Sequence, residues 1–342
     1  MTPPTPSAAA PLEVTDESVE KSTPSDVPKA SESRSPGQLA WRRFKRDRTG
    51  VISALIVIFF FVIALAAPLI ASLYGKDPYT TYGLNTPGLL GDNSNPVKPN
   101  GGIDGEFWFG IEPGLGRDVF TFLLYAIRNS LLIATAITLL VVVIGVVLGV
   151  TAGYVGGKTD WFIGRVIDIL LAFPSQLFFV AFTPVVLALF VRPDENTPMW
   201  LTVGSLVLLL TVFGWASIAR LLRGQVLALR EREFVEAAKV TGASPARIIF
   251  KELLPNLWTP ILIQATLNLP LMVTTEAGLA FLGVGIKDPT PDWGVMIGRA
   301  AQVYQDDITF LLFPGLAMVI FVLAFNLLGD SVRDALDPKT KR

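Results

Sequence analysis

Long uninterrupted apolar blocks, set apart by polar stretches of unequal length, dominate this chain. Neither strict alternation nor a one-sided helical stripe describes them. Blocks of about 20 apolar residues are what a helix needs to cross the hydrocarbon of a bilayer. Six stretches qualify: 51–73, 129–152, 166–191, 199–219, 256–286 and 308–329. Four of them carry no charge, the third contains Asp168 near one end, and the fifth contains Glu276. Pro174 inside the third, with Pro184 after it, predicts a kinked or broken helix packed within the bundle. Two long polar stretches stand out, a Gly-, Pro- and Asn-rich loop at 74–120 and a charged loop at 220–255. The first ends in nearly continuous apolar residues between Arg117 and Arg128. These are either an interfacial helix leading into the second span or an early start of that span.

The basic residues orient the blocks. With the N-terminus in the cytoplasm, six crossings place 21 of the 28 Lys and Arg residues on the cytoplasmic side. Cytoplasmic loops of membrane proteins carry such an excess. The pattern predicts an all-α membrane protein with six transmembrane helices and both termini cytoplasmic. Loop 74–120 is then external and loop 220–255 cytoplasmic. Residues 1–40, rich in Pro, Ser, Thr and Ala, have too little apolar surface to repay ordering and read as a disordered cytoplasmic tail. The transmembrane domain is 41–342. Its first residues, Trp41-Arg42-Arg43-Phe44-Lys45-Arg46-Asp47-Arg48, read as an anchor on membrane lipid at the cytoplasmic face rather than a nucleic-acid patch.

Composition narrows the chemistry. Apolar residues make up 51% of the chain and the mean hydropathy is +0.53, too high for a soluble domain with 17% charged residues. The net charge of −1 offers no bulk attraction to nucleic acid. There is no Cys and no His. Disulfides, thiol chemistry, the commonest general base and the commonest metal ligand are therefore missing, which argues against a membrane enzyme and against a metal or cofactor bound by this chain. One near-miss is Ala152-Gly153-Tyr154-Val155-Gly156-Gly157-Lys158-Thr159. It ends like a phosphate-binding loop but lacks the first Gly, and it follows an apolar span rather than a strand. It reads as a tight turn between spans two and three.

The cytoplasmic loop has a structure of its own. Residues 231–240 are strong helix formers, and Thr241-Gly242 follows as a helix stop. Ser244 can cap a second helix with Pro245 at its first position, and Pro255 is expected to bend the chain into the fifth span. Phe234, Ala237, Ala238 and Thr241 share one face of the first helix; Ala246, Ile249, Phe250 and Leu253 share one face of the second. Physical chemistry alone leaves two readings open, a bent amphipathic pair lying on the bilayer or bundle, or a docking site for a partner protein.

Glu236-Ala237-Ala238, three residues, Gly242, then twelve residues to Pro255 resembles the EAA loop of binding-protein-dependent ABC importer permeases. The family often has Ile three positions before the Pro, where this chain has Glu252. Further motifs resemble the dipeptide/oligopeptide C-type permeases. These are Leu115-Gly116-Arg117-Asp118-Val119 with the stretch Leu124 to Leu131, Phe281-Leu282-Gly283-Val284-Gly285 with Pro289 to Gly294, and Phe313-Pro314-Gly315 running on to Pro338. Together they cover most of 41–338. The resemblance implies a type I ABC importer permease fold in a bacterial inner membrane and transport of di- or oligopeptides by alternating access. Nickel or glutathione-like solutes are the alternative cargo, and an ATP-independent carrier or channel is the rival class. It further implies a second homologous permease subunit, two ATP-binding subunits that use ATP and Mg, and an extracytoplasmic substrate-binding protein. Phe234, Glu236, Ala237, Ala238, Gly242, Ser244, Pro245 and Pro255 would couple the spans to the ATPase.

The fifth span carries Asn256, Gln264, Asn268 and Glu276. Polar groups in lipid are costly and should face the bundle or a water-filled path. Gln264 and Asn268 share a face and read either as a polar strip on the path or as hydrogen-bonding groups between packed helices. Pro270 argues against an unbroken helix here. Glu276 reads as an organiser of the outer gate, a contact for a peptide amine, or a helix cap.

Overall fold

The computed structural model describes residues 36–191 and 197–337. The expected tail lies outside the described residues as far as residue 35. From there the expectation needs correcting, because α1 (Pro36–Arg46) is already helical. Asp47 then caps α2 (Arg48–Tyr74), its side chain accepting from Thr49 N–H at 3.1 Å.

Asp118 starts the next helix. Its carboxylate accepts from Thr121 N–H at 2.7 Å, and α3 (Val119–Val155) runs from there without a break. The apolar residues before position 129 are therefore the early start of span two, not a separate interfacial helix. Gly156 and Gly157, at φ 69° and 56°, form the tight turn into α4 (Gly157–Ala172), and no strand occurs among the described residues.

The third expected span is not one helix. Phe173 is extended (φ −80°, ψ 136°), as a residue before proline prefers, and α5 (Ser175–Ala188) leaves α4 at 89°. The second half packs on the bundle along one face, with Phe178 and Phe179 against the Phe213 ring. Only Phe179 and Thr183 of α5 are buried, while Leu177 is 69% exposed. Helix α6 (Met199–Leu229) continues ten residues past the predicted end of span four. Its charges need not stop it, since Arg223 pairs with Asp160 and Arg220 with Asp168 (2.6 Å), both on α4.

A short helix α7 (Glu233–Val240) precedes α8 (Pro245–Phe281), which is uninterrupted although Pro260 and Pro270 lie inside it. The expected break at Pro270 does not occur. The chain turns only after Phe281, at Gly283 and Gly285. Then come α9 (Trp293–Val303) and α10 (Thr309–Leu336). Among the described residues five helices are long and apolar enough to cross a membrane, six if α4 and α5 count as one broken span.

The centre of the bundle is α3 against α6, the most extensive helix pair. Gly145, Gly149 and Gly153 recur every fourth residue on α3 and let the backbones touch. A Cβ on Gly149 would stand 2.7 Å from the Ala219 carbonyl oxygen. Small residues at this spacing are the usual means of close helix contact in lipid. Helices α2, α9 and α10 meet around Phe60, Trp293 and Phe321, with Phe60 5.3 Å from Phe321 between ring centroids.

Candidate functional site

The segment between α6 and α8 is built largely as its local chemistry dictates. Glu233 and Glu236 lie in the first turn of α7 and Lys239 in its last, matching the helix dipole. Thr241 Oγ1 donates back to the Ala237 and Ala238 carbonyls. Gly242 stands at φ 78°, and Ala243 N–H reaches the Ala238 carbonyl at 3.0 Å, closing a Schellman turn. A Cβ on Gly242 would meet nothing within 4 Å, so the left-handed backbone, not space, demands glycine. Ser244 Oγ accepts from Arg247 N–H at 3.3 Å and Pro245 holds the first helical position.

Pro255 does not bend the chain. Within α8, residues Ile248–Leu253 widen into a π turn, closed by Leu254 N–H on the Ile249 carbonyl, and the helix continues through Pro255. A proline ring clashes with the carbonyl four residues before it, and widening the preceding turn moves that carbonyl aside.

The π turn also redraws the faces. Ile248 and Leu253, five apart, both point into the core at 1% and 0% exposure, joined by Val235 of α7 at 0%. The expected face of the second helix is split: Leu253 is buried, Ile249 half-buried, Ala246 and Phe250 exposed. On α7 the residue that anchors the helix is Val235, which the helical spacing assigned to no face. Phe234, Ala237 and Thr241 are exposed and Ala238 is half-buried. The result is a rooted, bent pair presenting Phe234, Val240 (87% exposed) and Phe250 (69%) to its surroundings. Among the described residues Glu236 pairs only with Lys239 on its own helix, at 2.9 Å.

The polar residues of α8 do not act as one strip. Asn256 Nδ2 donates to the Glu252 carbonyl (2.7 Å) and Asn268 Nδ2 to the Gln264 carbonyl (2.9 Å), both within their own helix. Gln264 is half-buried and Asn268 buried. Glu276 lies inside α8 and caps no helix end. It is fully buried at the far end of the bundle, beside Asp292 and Ser130.

The loop expected to be external carries a second charge cluster. Glu112 and Arg117, each 1% exposed, pair at 2.5 Å. Arg117 also reaches Asp288 at 2.8 Å, and Arg299 of α9 bonds Glu112 (2.9 Å) and Asp288 (2.8 Å). These pairs join residues up to 187 positions apart (Glu112 to Arg299), so no local spacing announces them. In the same loop the Lys98 ammonium, followed by the Phe107 amide, holds the Asp104 carboxyl below the usual carboxylate range.

Residues 145–342 match the family model described as binding-protein-dependent transport system inner membrane component. Residues 35–94 match the N-terminal TM domain of oligopeptide transport permease C. The dipeptide transport system permease protein DppC of Alkalihalophilus pseudofirmus is 36% identical over 90% of this chain and 91% of its own. The DppC of Bacillus subtilis is 36% identical over 89% and 86%. The glutathione transport system permease protein GsiD of Shigella flexneri is 36% identical over 92% and 94%. Among solved structures, an inward-facing MetNI methionine ABC transporter superposes with a TM-score of 0.51. It is 20% identical and covers 63% of this chain and 96% of its own, a likeness of fold.

Proposed function

Because the chain belongs to the family of binding-protein-dependent transport system inner membrane components, we propose that it is the transmembrane subunit of an ATP-driven importer of di- or oligopeptides. The observation that carries the coupling role is the rooted helix pair at α7 and the start of α8. Val235, Ile248 and Leu253 fasten it to the bundle, while Phe234, Val240 and Phe250 stand clear. A lever needs both properties, a rigid base and a free apolar surface for its driver. Phe234, Glu236, Ala237, Ala238, Gly242, Ser244, Pro245 and Pro255 form that lever. Two ATP-binding subunits would press on it, a second permease subunit would complete the path beside Gln264 and Asn268, and an extracytoplasmic binding protein would deliver the cargo.

In this reading both termini and the lever are cytoplasmic, in keeping with the positive-inside excess. The exposed apolar side chains of α2, such as Leu65 at 74% and Leu69 at 62%, face lipid. On α1, Trp41 and Phe44 stack with ring centroids 6.0 Å apart and the Lys45 ammonium lies over the Trp41 ring, while Arg42 and Arg46 fall on the other side of the helix, which suits the cytoplasmic membrane surface. Affinity purification of the tagged chain from membranes tests the coupling role. An ATP-binding subunit is expected, and its absence overturns the role. Labelled dipeptide uptake in cells lacking the chain tests the cargo. A second cargo, glutathione, is favoured by the 36% identity to a glutathione permease. Intact dipeptide uptake with lost glutathione uptake selects it, and loss of neither counts against both.

A further inference from the structure

Glu276 is fully buried, and neither of its carboxyl oxygens has a hydrogen-bond donor among the described residues. Across the α8–α9 contact its neighbour is another carboxyl, Asp292, also 0% exposed: Asp292 accepts from Gly294 N–H, and Gly294 sits against the carbonyl of Ala277, the residue after Glu276. Asp292 is well supplied with donors. Its Oδ1 accepts from Gly294 N–H (2.9 Å) and Val295 N–H (3.1 Å), and its Oδ2 accepts from Ser130 Oγ–H (2.7 Å). It also caps α9, where the helix dipole favours negative charge.

Among the described residues no cation pairs with either carboxyl. On α9, Arg299 is held by Glu112 and Asp288. On α3, Arg128 lies over the Tyr125 ring. The stretch of α2 beside Trp293 has no charged residue, Lys287 in the turn between α8 and α9 is exposed, and the charged residues of α10 (Asp330, Arg333, Asp334) and α6 (Arg220, Arg223) lie toward the other ends of those helices. No third acidic, His or Cys group joins the two to hold a metal among the described residues. Two adjacent buried carboxylates without a cation cannot both stay ionised.

We propose that Glu276 and Asp292 share one proton, carried by Glu276 and donated to the ionised Asp292, and that this acid–carboxylate bond latches the outer end of α8 to α9. The surrounding packing is what a latch requires. Gly294 lies so close to α8 that a Cβ there would stand 2.0 Å from the Ala277 carbonyl oxygen. Trp293, fully buried, donates from Nε1 to the Pro314 carbonyl of α10 (2.9 Å), and its backbone N–H donates to Ser130 Oγ of α3 (3.2 Å). One proton thus closes a junction of four helices. This assigns Glu276 a place in the closed outer end and leaves it no contact with cargo in this conformation.

Infrared difference spectra of the purified full chain, in complex with whatever subunits accompany it, read the proton directly. A carboxylic-acid carbonyl band is expected in the wild type, absent in Glu276→Gln and shifted in Asp292→Asn. No such band, or one that survives Glu276→Gln, overturns the proposal. The latch has its own readout. The chain has no native Cys, so Met296→Cys, at a fully buried site of α9, reports opening by maleimide labelling. Labelling should rise several-fold when Glu276→Leu is added and stay at the starting level with Glu276→Gln, whose amide still donates to Asp292. Equal labelling in the two double variants overturns the latch.

Discussion

In the orientation proposed above, the inner and outer ends of α8 solve opposite problems, with Phe250 and Glu276 about 39 Å apart along the helix axis. At the inner end, charged residues are solvated and large apolar side chains stand exposed: Phe250 at 69% and Val240 at 87%. At the outer end the charges are buried, Glu276 and Asp292 at 0% and Arg117 at 1%, and the aromatic Trp293 is enclosed. The outer end pairs Glu112, Arg117, Asp288 and Arg299 with one another within the chain. The inner end leaves apolar surface that nothing among the described residues covers. An exposed apolar patch beside a rigid base marks an interaction site, whereas a closed polar cluster marks a junction that holds one conformation.

The comparison can be broken most forcefully at the base of the inner end. Val235→Asp puts an unpaired charge in a fully enclosed position and should destabilise the seating of α7 by about 3–5 kcal/mol. Limited proteolysis should then cut between α6 and α8, with the spans intact. Phe250→Ala should separate surface from base. At 69% exposure it should leave the unfolding temperature in detergent unchanged, yet weaken capture of an ATP-binding subunit by about 2 kcal/mol if it acts as an anchor of the interface. Equal losses of stability and capture would mean that Phe250 belongs to the base.

Gly149→Ala strikes the helix pair linking both ends. The added Cβ meets the Ala219 carbonyl at 2.7 Å and should cost about 1–3 kcal/mol, seen as a lower unfolding temperature. The smallest effect is expected at Gly242→Ala, about 1–2 kcal/mol from the left-handed backbone alone, because the site is open. A helical circular-dichroism spectrum like wild type, with slowed transport, would place that strain in the lever.

Local signals carried the inner end further than the outer. The cap at Ser244, the glycine stop at Gly242 and the start of α7 are visible within a few residues, since each rests on hydrogen bonds between near neighbours. The faces were read less well. Helical spacing put Phe234 and Ala237 on the apolar side, but the buried residue is Val235, and the π turn before Pro255 aligned Ile248 with Leu253 instead of the residues at helical spacing. The repeat of Gly145, Gly149 and Gly153 is legible along the chain, and its four-residue spacing marks the close contact of α3 with α6.

What the amino-acid sequence determined by itself is whatever depends on hydrophobic length and short-range chemistry: where α2, α3, α6, α8 and α10 cross, the break at Pro174, and the helix–turn–helix at 233–245. What only the tertiary structure decided is which polar groups meet. Ser130 and Asp292 are 162 positions apart, and Glu276 acquires its buried partner only when α9 folds back onto α8. Lipid-like burial makes every polar group in the bundle seek a partner, but the partner is chosen by packing, and packing has no signature along the chain.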